Sequence, residues 1–193
     1  MGYTEHGLRH ASLVGSIAHN ILERLQYDER DCEVAYIAGY LHDIGNVVNR
    51  HWHAQSGAII AQRILSELAM QAEEIALIMG AIGNHDEGDG VPVSHISAAL
   101  IIADKSDVHR SRVRSSDPKD WDIHDRVNWA TTRSFVRVDD ENKRINLEVQ
   151  IDTSIAHVME YFEIFLSRML VSRRAAQLLG CEYHLIINEI QLM

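Results

Sequence analysis

Apolar residues return at intervals of three and four through five successive stretches in the first part of this chain, and each stretch carries a histidine or aspartate on its apolar side. That spacing predicts amphipathic helices. The first runs through Val14, Ile17, Ala18, Ile21, Leu22 and Leu25. The second carries Val34, Ile37, Ala38 and Leu41 and stops near Gly45, and the third carries Ile60, Ala61, Ile64, Leu65 and Leu68. Ile75, Ile78, Ala81 and Ile82 mark a fourth. After a loop at Gly88-Asp89-Gly90-Val91-Pro92, a fifth begins near Ser94 and runs through Ile96, Ala99, Leu100 and Ala103.

The inward polar groups restrict what these helices can build. His10 precedes Val14 by four residues and Ile17 by seven, while His42 follows Ala38 by four with Asp43 next to it. His53 precedes Gly57, Ile60 and Ile64 on one face, His85 follows Ile78 and Ile82, and Asp104 follows Leu100 by four. A lone inward histidine is usually a core residue with a hydrogen-bond partner. Five helices in succession with such a group are different: each unpaired polar group costs about 1–3 kcal/mol, and a shared cation satisfies all of them together. Four imidazoles and two carboxylates without thiolate suit iron, manganese, zinc or cobalt better than a closed structural zinc site. The set exceeds one tetrahedral ion. Asp43 can turn one oxygen to each of two ions, so the ligands divide around it.

The rest of the chain reads differently. From Ser115 to about Asp125 it is polar and contains Pro118, which predicts a connection. Phe135, Val136 and Val138 then precede Asp139-Asp140-Glu141-Asn142, and Ile145, Leu147, Val149 and Ile151 alternate with polar residues, the pattern of a β-hairpin. A sixth helix, capped by Asp152, Thr153 or Ser154, carries Ile155, Val158, Met159, Phe162, Leu166, Met169 and Leu170, with Gly180 placed to end its continuation. Tyr183 to Leu192 reads as a third strand. The expected fold is therefore mainly α, a helical core over residues 1–115 followed by a hairpin, helix and strand over 116–193, packed as one unit with a small antiparallel sheet.

With 28 acidic against 18 basic residues the net charge is −10, which opposes binding to nucleic acid polymers or anionic lipid. One basic concentration, Lys105, His109, Arg110, Arg112 and Arg114, stands out. Cys32 and Cys181 are too isolated for a disulfide framework or a thiolate site, and no signal-like or bilayer-length apolar run is present, so a cytoplasmic location is expected.

The run Leu41-His42-Asp43-Ile44-Gly45 resembles the HDIG signature of the HD superfamily of phosphohydrolases. The resemblance is specific because of its company: His10 upstream, His53 in His53-Ala54-Gln55-Ser56-Gly57-Ala58, His85 in Gly83-Asn84-His85-Asp86-Glu87-Gly88, and Asp104 in Ala103-Asp104-Lys105. It covers roughly residues 6–110 and implies an all-helical HD core. His53 and His85 are similar to the extra histidines of the two-metal branch. By that resemblance His10, His42, Asp43 and Asp104 hold one ion, and Asp43, His53 and His85 the other. The metals expected are iron or manganese, with zinc, cobalt, nickel or magnesium as alternatives. Relatives in that branch include cyclic di-GMP phosphodiesterases of the HD-GYP type, diadenosine tetraphosphate hydrolases and di-iron oxygenases. Asn46 stands where the HD-GYP type usually has a lysine, and Asn84-His85 where it has paired histidines, which turns the reading away from cyclic di-GMP.

The resemblance implies hydrolysis of a phosphate ester or anhydride in a small phosphorylated substrate. A water bridging the two ions at Asp43 would be acidified from 15.7 toward about 7 and attack phosphorus as hydroxide. Lys105 is the expected phosphate contact and Arg110 a weaker candidate. A mixed-valent di-iron oxygenase and a signalling module on the same core are the alternative functions. His51 competes with His53, which has the better spacing for a buried face. His6 is open between a second-layer partner and an ordinary exposed residue. An exposed strand edge in the C-terminal part would invite a homodimer.

Overall fold

The computed structural model describes residues 6–115 and 117–193. The five expected helices are α1 (Leu8–Arg24), α2 (Glu29–Leu41), α3 (His53–Glu67), α4 (Ala72–Gly83) and α5 (His95–Ser106). In α4 the buried residues are those the spacing predicts, Ile75, Ile78, Ala81 and Ile82. α5 begins where expected, with the Ser94 hydroxyl accepting the Ser97 N–H. Its burial is broader than one stripe, since every residue from Ile96 to Ser106 is buried. A helix apolar on all sides belongs at the centre of a bundle, and α1, α2, α4 and a later helix pack around it.

In α3 the buried face is Ala54, Gly57, Ala58, Ala61 and Leu65, so the expected stripe is displaced. Leu68 follows the helix and is 73% exposed. Small residues face inward here because the helix lies close to its neighbours. α1 and α2 approach most tightly at Gly15 and Gly39, where a Cβ on Gly39 would stand 2.7 Å from the Gly15 Cα. That crossing brings the His10 and His42 rings to 5.1 Å between centroids.

Beyond α5 the chain departs from the sequence pattern at several points. The polar stretch expected as a connection contains the start of a helix, α6 (Ile123–Ala130), whose first turn is capped by Asp122 accepting the Asp125 N–H. Eight residues with few apolar positions give little periodic signal. The hairpin is present as β1 (Thr131–Asp139) and β2 (Arg144–Ile151), paired antiparallel. Helix α7 (Val158–Leu178) starts after His157, whose N–H donates to Glu160 Oε1, and not at the expected cap. Asp152 instead closes a turn by accepting the Ser154 N–H and hydroxyl.

The buried face of α7 centres on Tyr161, Phe165, Met169, Ser172 and Ala176, whereas Met159 and Leu166 are exposed. Two apolar stripes overlap on this helix, and the one with the large aromatics is buried because it removes the larger area from water. The helix ends at the expected glycine, Gly180, at φ +72°, with the Cys181 N–H reaching back to the Ala176 carbonyl. The chain closes with β3 (Glu182–Ile187) and β4 (Ile190–Gln191), and the sheet order is β1-β2-β3-β4. β2 and β3 run parallel, so the sheet is mixed and not wholly antiparallel. The crossover through α7 is long enough to reverse the chain twice, as parallel pairing requires. One buried apolar cluster runs from Val14 on α1 to Ile187 on β3. Among the described residues no helix is long and apolar enough to cross a membrane.

Candidate metal centre

Each metal-capable side chain comes from a different point of the bundle. His10 leaves the first turn of α1, His42 follows the end of α2, and Asp43 begins the short turn Ile44–Val47. His53 opens α3, His85 lies just past α4, and Asp104 sits in the last turn of α5. All four histidines are buried, none more than 2% exposed. Asp43 stands between two groups. Its Oδ2 lies 3.4 Å from His42 Nε2 and 3.8 Å from His10 Nε2, while its Oδ1 lies 3.5 Å from His53 Nε2 and 4.0 Å from His85 Nε2. Asp104 Oδ1 completes the first group at 3.3 Å from His10 Nε2 and 3.6 Å from His42 Nε2.

The outer nitrogen of every ring is fixed by an acceptor. His42 Nδ1 donates to the Gly39 carbonyl at 2.7 Å, His85 Nδ1 to that of Ile82 at 2.7 Å and His53 Nδ1 to that of Arg50 at 3.0 Å. His10 Nδ1 donates to Asp107 Oδ2 at 2.7 Å. Because these partners can only accept, each Nδ1 carries a proton and each ring turns its Nε2 inward. Among the described residues, His10 Nε2, His42 Nε2 and Asp43 Oδ2 are buried without a hydrogen-bond partner. His53 Nε2 and His85 Nε2 face each other at 3.2 Å. Lone pairs so close repel unless a cation lies between them or one ring takes a second proton. Burial, aided by the charges of His42 and Lys105, holds the His85 imidazolium down to about 3. Burial and the Arg50 charge lower that of His53 as well. Neutral imidazoles are the form that metal binding requires. For His42, burial opposes the charged form, but Asp43 and Asp104 outweigh it and raise its pKa. The residues present therefore fit metal ions. The ligand atoms of His10, His42 and Asp104 lie within 4.8 Å of one another, and so do those of His42, Asp43 and His85.

The HD domain profile matches residues 7–110. The chain belongs to the HD domain family. Metal-dependent hydrolysis is the general chemistry of that family, and the His/Asp cluster of this HD domain could hold a metal. The chain is 29% identical to the uncharacterized protein MJ1020 of Methanocaldococcus jannaschii, over 77% of this chain and 65% of that protein. It is 35% identical to ribonuclease Y 1 of Pediococcus pentosaceus, over 52% of this chain and 17% of that protein. The chain thus spans less than two thirds of either relative.

Around the mouth of the HD centre stand His6, Arg50, Lys105, Arg112 and Arg168. Lys105 is buried, donating to Asp104 Oδ2 at 2.7 Å and pairing with Glu87. Burial alone would lower its pKa, but those two carboxylates raise it, so the ammonium stays charged. Arg110 is not brought to the mouth. Its guanidinium lies 5.6 Å from the centre of the Trp129 ring, since at about three residues per turn the 3-10 turn Arg110–Arg112 points its two arginines in different directions. Arg112 takes the inner position and is 3% exposed. Arg50 reaches His53 Nε2 at 3.2 Å, and Arg168 arrives from α7, far outside the family match. His51 is exposed, and His6 lies half-buried with Nε2 4.0 Å from Asp43 Oδ2.

Asp107 is not singled out by the sequence pattern. It takes the His10 proton side and also accepts from Arg9 at 2.8 Å. Burial opposes its charge, yet the His10 hydrogen bond and Arg112 hold its pKa down to about 2. Its signal was its position, one turn from Asp104 and past the helix end. Replacing such an outer carboxylate typically weakens metal binding about 10–100-fold. Asp107→Asn is expected to fall in that range while remaining folded, as read by metal competition with a chromogenic chelator.

Proposed function

We propose that this HD protein is a metal-dependent phosphohydrolase that cleaves a phosphate ester in a small phosphorylated substrate. The observation that carries the reading is Asp43, whose two oxygens face separate histidine groups beneath a rim of cationic side chains. By this reading His10, His42, Asp43 and Asp104 hold one ion and Asp43, His53 and His85 the second, with iron or manganese the native metals. The bound ions would acidify a water and neutralise phosphoryl charge.

The chain's own groups do the rest. Arg50, Arg112 and Arg168 bring guanidinium groups to the mouth of the centre, where they suit phosphoryl oxygens. Lys105, held between Asp104 and Glu87, keeps the Asp104 carboxylate oriented and supplies further positive charge. Asp107 fixes the His10 tautomer. Local cationic density lets the centre accept a small anion, while the net charge of −10 disfavours long nucleic acid. The likeness to a ribonuclease supports phosphate-ester chemistry, and its small share of that protein leaves the substrate to this chain's own cavity.

The test is metal analysis of protein purified without added metal, followed by anaerobic assays with phosphomonoesters, phosphodiesters and anhydrides. About two ions per chain and phosphate release without oxygen are expected. Oxygen uptake coupled to turnover, with no hydrolysis under anaerobic conditions, would replace this reading with oxygenase chemistry.

A further inference from the structure

The mouth of the centre opens into a cavity of about 240 Å³, and His6, Arg50, Arg112 and Arg168 line both. The far wall comes from α6 and α7, outside the matched HD region. Its two ends differ in chemistry. Toward the centre stand the guanidinium groups. Arg168 spends Nε on Glu87 Oε1 at 3.1 Å, and its Nη groups have no hydrogen-bond partner among the described residues. Its guanidinium carbon lies 4.6 Å from the centre of the Phe165 ring, which fixes its plane. Away from the centre stand Asp122, Asp125 and Asn128. Asn128 Nδ2 donates to the His124 carbonyl at 2.8 Å, which leaves its amide oxygen as an acceptor. The outer end is therefore rich in acceptors.

We propose that this cavity binds the organic part of a phosphomonoester that is rich in hydroxyl groups and has no aromatic ring, with Arg168 gripping its phosphate. The inference rests on the phosphohydrolase reading and gives its substrate class. Hydroxyl donors match Asp122, Asp125 and Asn128. A nucleobase finds the Phe165 ring already flanked by Arg168 and His124, which leaves the small His124 imidazole as the one exposed ring among the described lining residues. The volume falls below the roughly 300–1,000 Å³ usual for drug-sized ligands, which suits an organic part of about the size of a sugar. The C-terminal part of the chain then has a role in selecting the substrate.

The experiment compares wild type, Arg168→Gln, Arg168→Lys and the double variant Asp122→Asn/Asp125→Asn, after circular dichroism and metal analysis of each. Inorganic phosphate is titrated calorimetrically, and ribose phosphate, p-nitrophenyl phosphate, phosphoethanolamine and a short RNA are the assay substrates. Arg168→Gln is expected to weaken phosphate binding about tenfold or more at unchanged metal content, a loss of about 1.4 kcal/mol, with Arg168→Lys intermediate. The acidic double variant is expected to raise KM for ribose phosphate about tenfold while leaving the phosphate titration unchanged. Unaltered phosphate binding by a folded Arg168→Gln protein, or wild-type preference for any of the other three substrates, overturns the assignment. A metal-loaded wild type that hydrolyses nothing but loses phosphate binding on Arg168→Gln overturns the phosphohydrolase reading and keeps the anion site.

Discussion

Asp43→Ala is expected to release both ions and to lower hydrolysis by more than about 10²-fold, beyond the range typical of outer-layer partners. One carboxylate serves both groups: Oδ2 faces His10 and His42, and Oδ1 faces His53 and His85. Its loss separates the centre into histidine pairs whose lone pairs converge with less opposing charge, since only Asp104 remains on the first side. His85→Ala removes a ligand from one side alone. That variant is expected to lose one ion first and keep part of its metal. Plasma emission analysis of the two proteins, with wild type alongside, separates shared from one-sided ligation. Equal metal loss in both variants would mean that the ions bind as one unit, and retention by Asp43→Ala would remove the bridging role.

What the sequence revealed and what it concealed follow from the range of the interactions. The inward histidines are legible because helical periodicity places His10, His42 and His85 beside apolar neighbours that must be buried, whereas His53 is buried with Gly57 and not with the Ile60 and Ile64 of its expected face. Helix existence was legible for the same reason. Finer faces were not. In α3 the β-branched residues Ile60 and Ile64 carry the apolar spacing, yet close packing selects Ala54, Ala58 and Ala61 for the interior. In α7 two stripes competed, and only contact with α5 and β3 decides between them.

The cationic rim shows the same limit. Lys105 was visible beside Asp104, and proximity in sequence carried it to the centre. Arg110 and Arg112 look alike in a sequence, and one turn of backbone decides which of them faces the His/Asp cluster. Arg168 carries no local signal at all. It follows Asp104 by 64 residues and reaches the site only because α7 packs on α5. Asp107 was hidden by its plain appearance as a polar residue after a helix. Its contact with His10 spans 97 residues of sequence.

A single methyl group at Gly45 is expected to be the most damaging small substitution. A Cβ there would stand 1.9 Å from the His53 carbonyl oxygen, 2.6 Å from the Gly57 nitrogen and 2.6 Å from Ser56 Oγ. The first and second of these are backbone atoms of α3, so no side-chain rotation relieves the clash. Either α3 moves and takes His53 with it, or the turn Ile44–Val47 lifts and shifts Asp43. Overpacking usually costs about 1–3 kcal/mol, and backbone contact this close puts Gly45→Ala at or above the upper end. For a chain of this length about 3 kcal/mol lowers Tm by roughly 6–12 °C. Gly88→Ala is the matched control, since a Cβ there meets nothing within 4 Å, and its Tm is expected to stay close to wild type. Thermal melts of the metal-free proteins compare the two without any contribution from bound ions. Coincident melts for Gly45→Ala and wild type would show that the turn and α3 are not locked together. The glycine of the His-Asp-Ile-Gly run would then owe its place to something other than the close approach that sets His53 against Asp43.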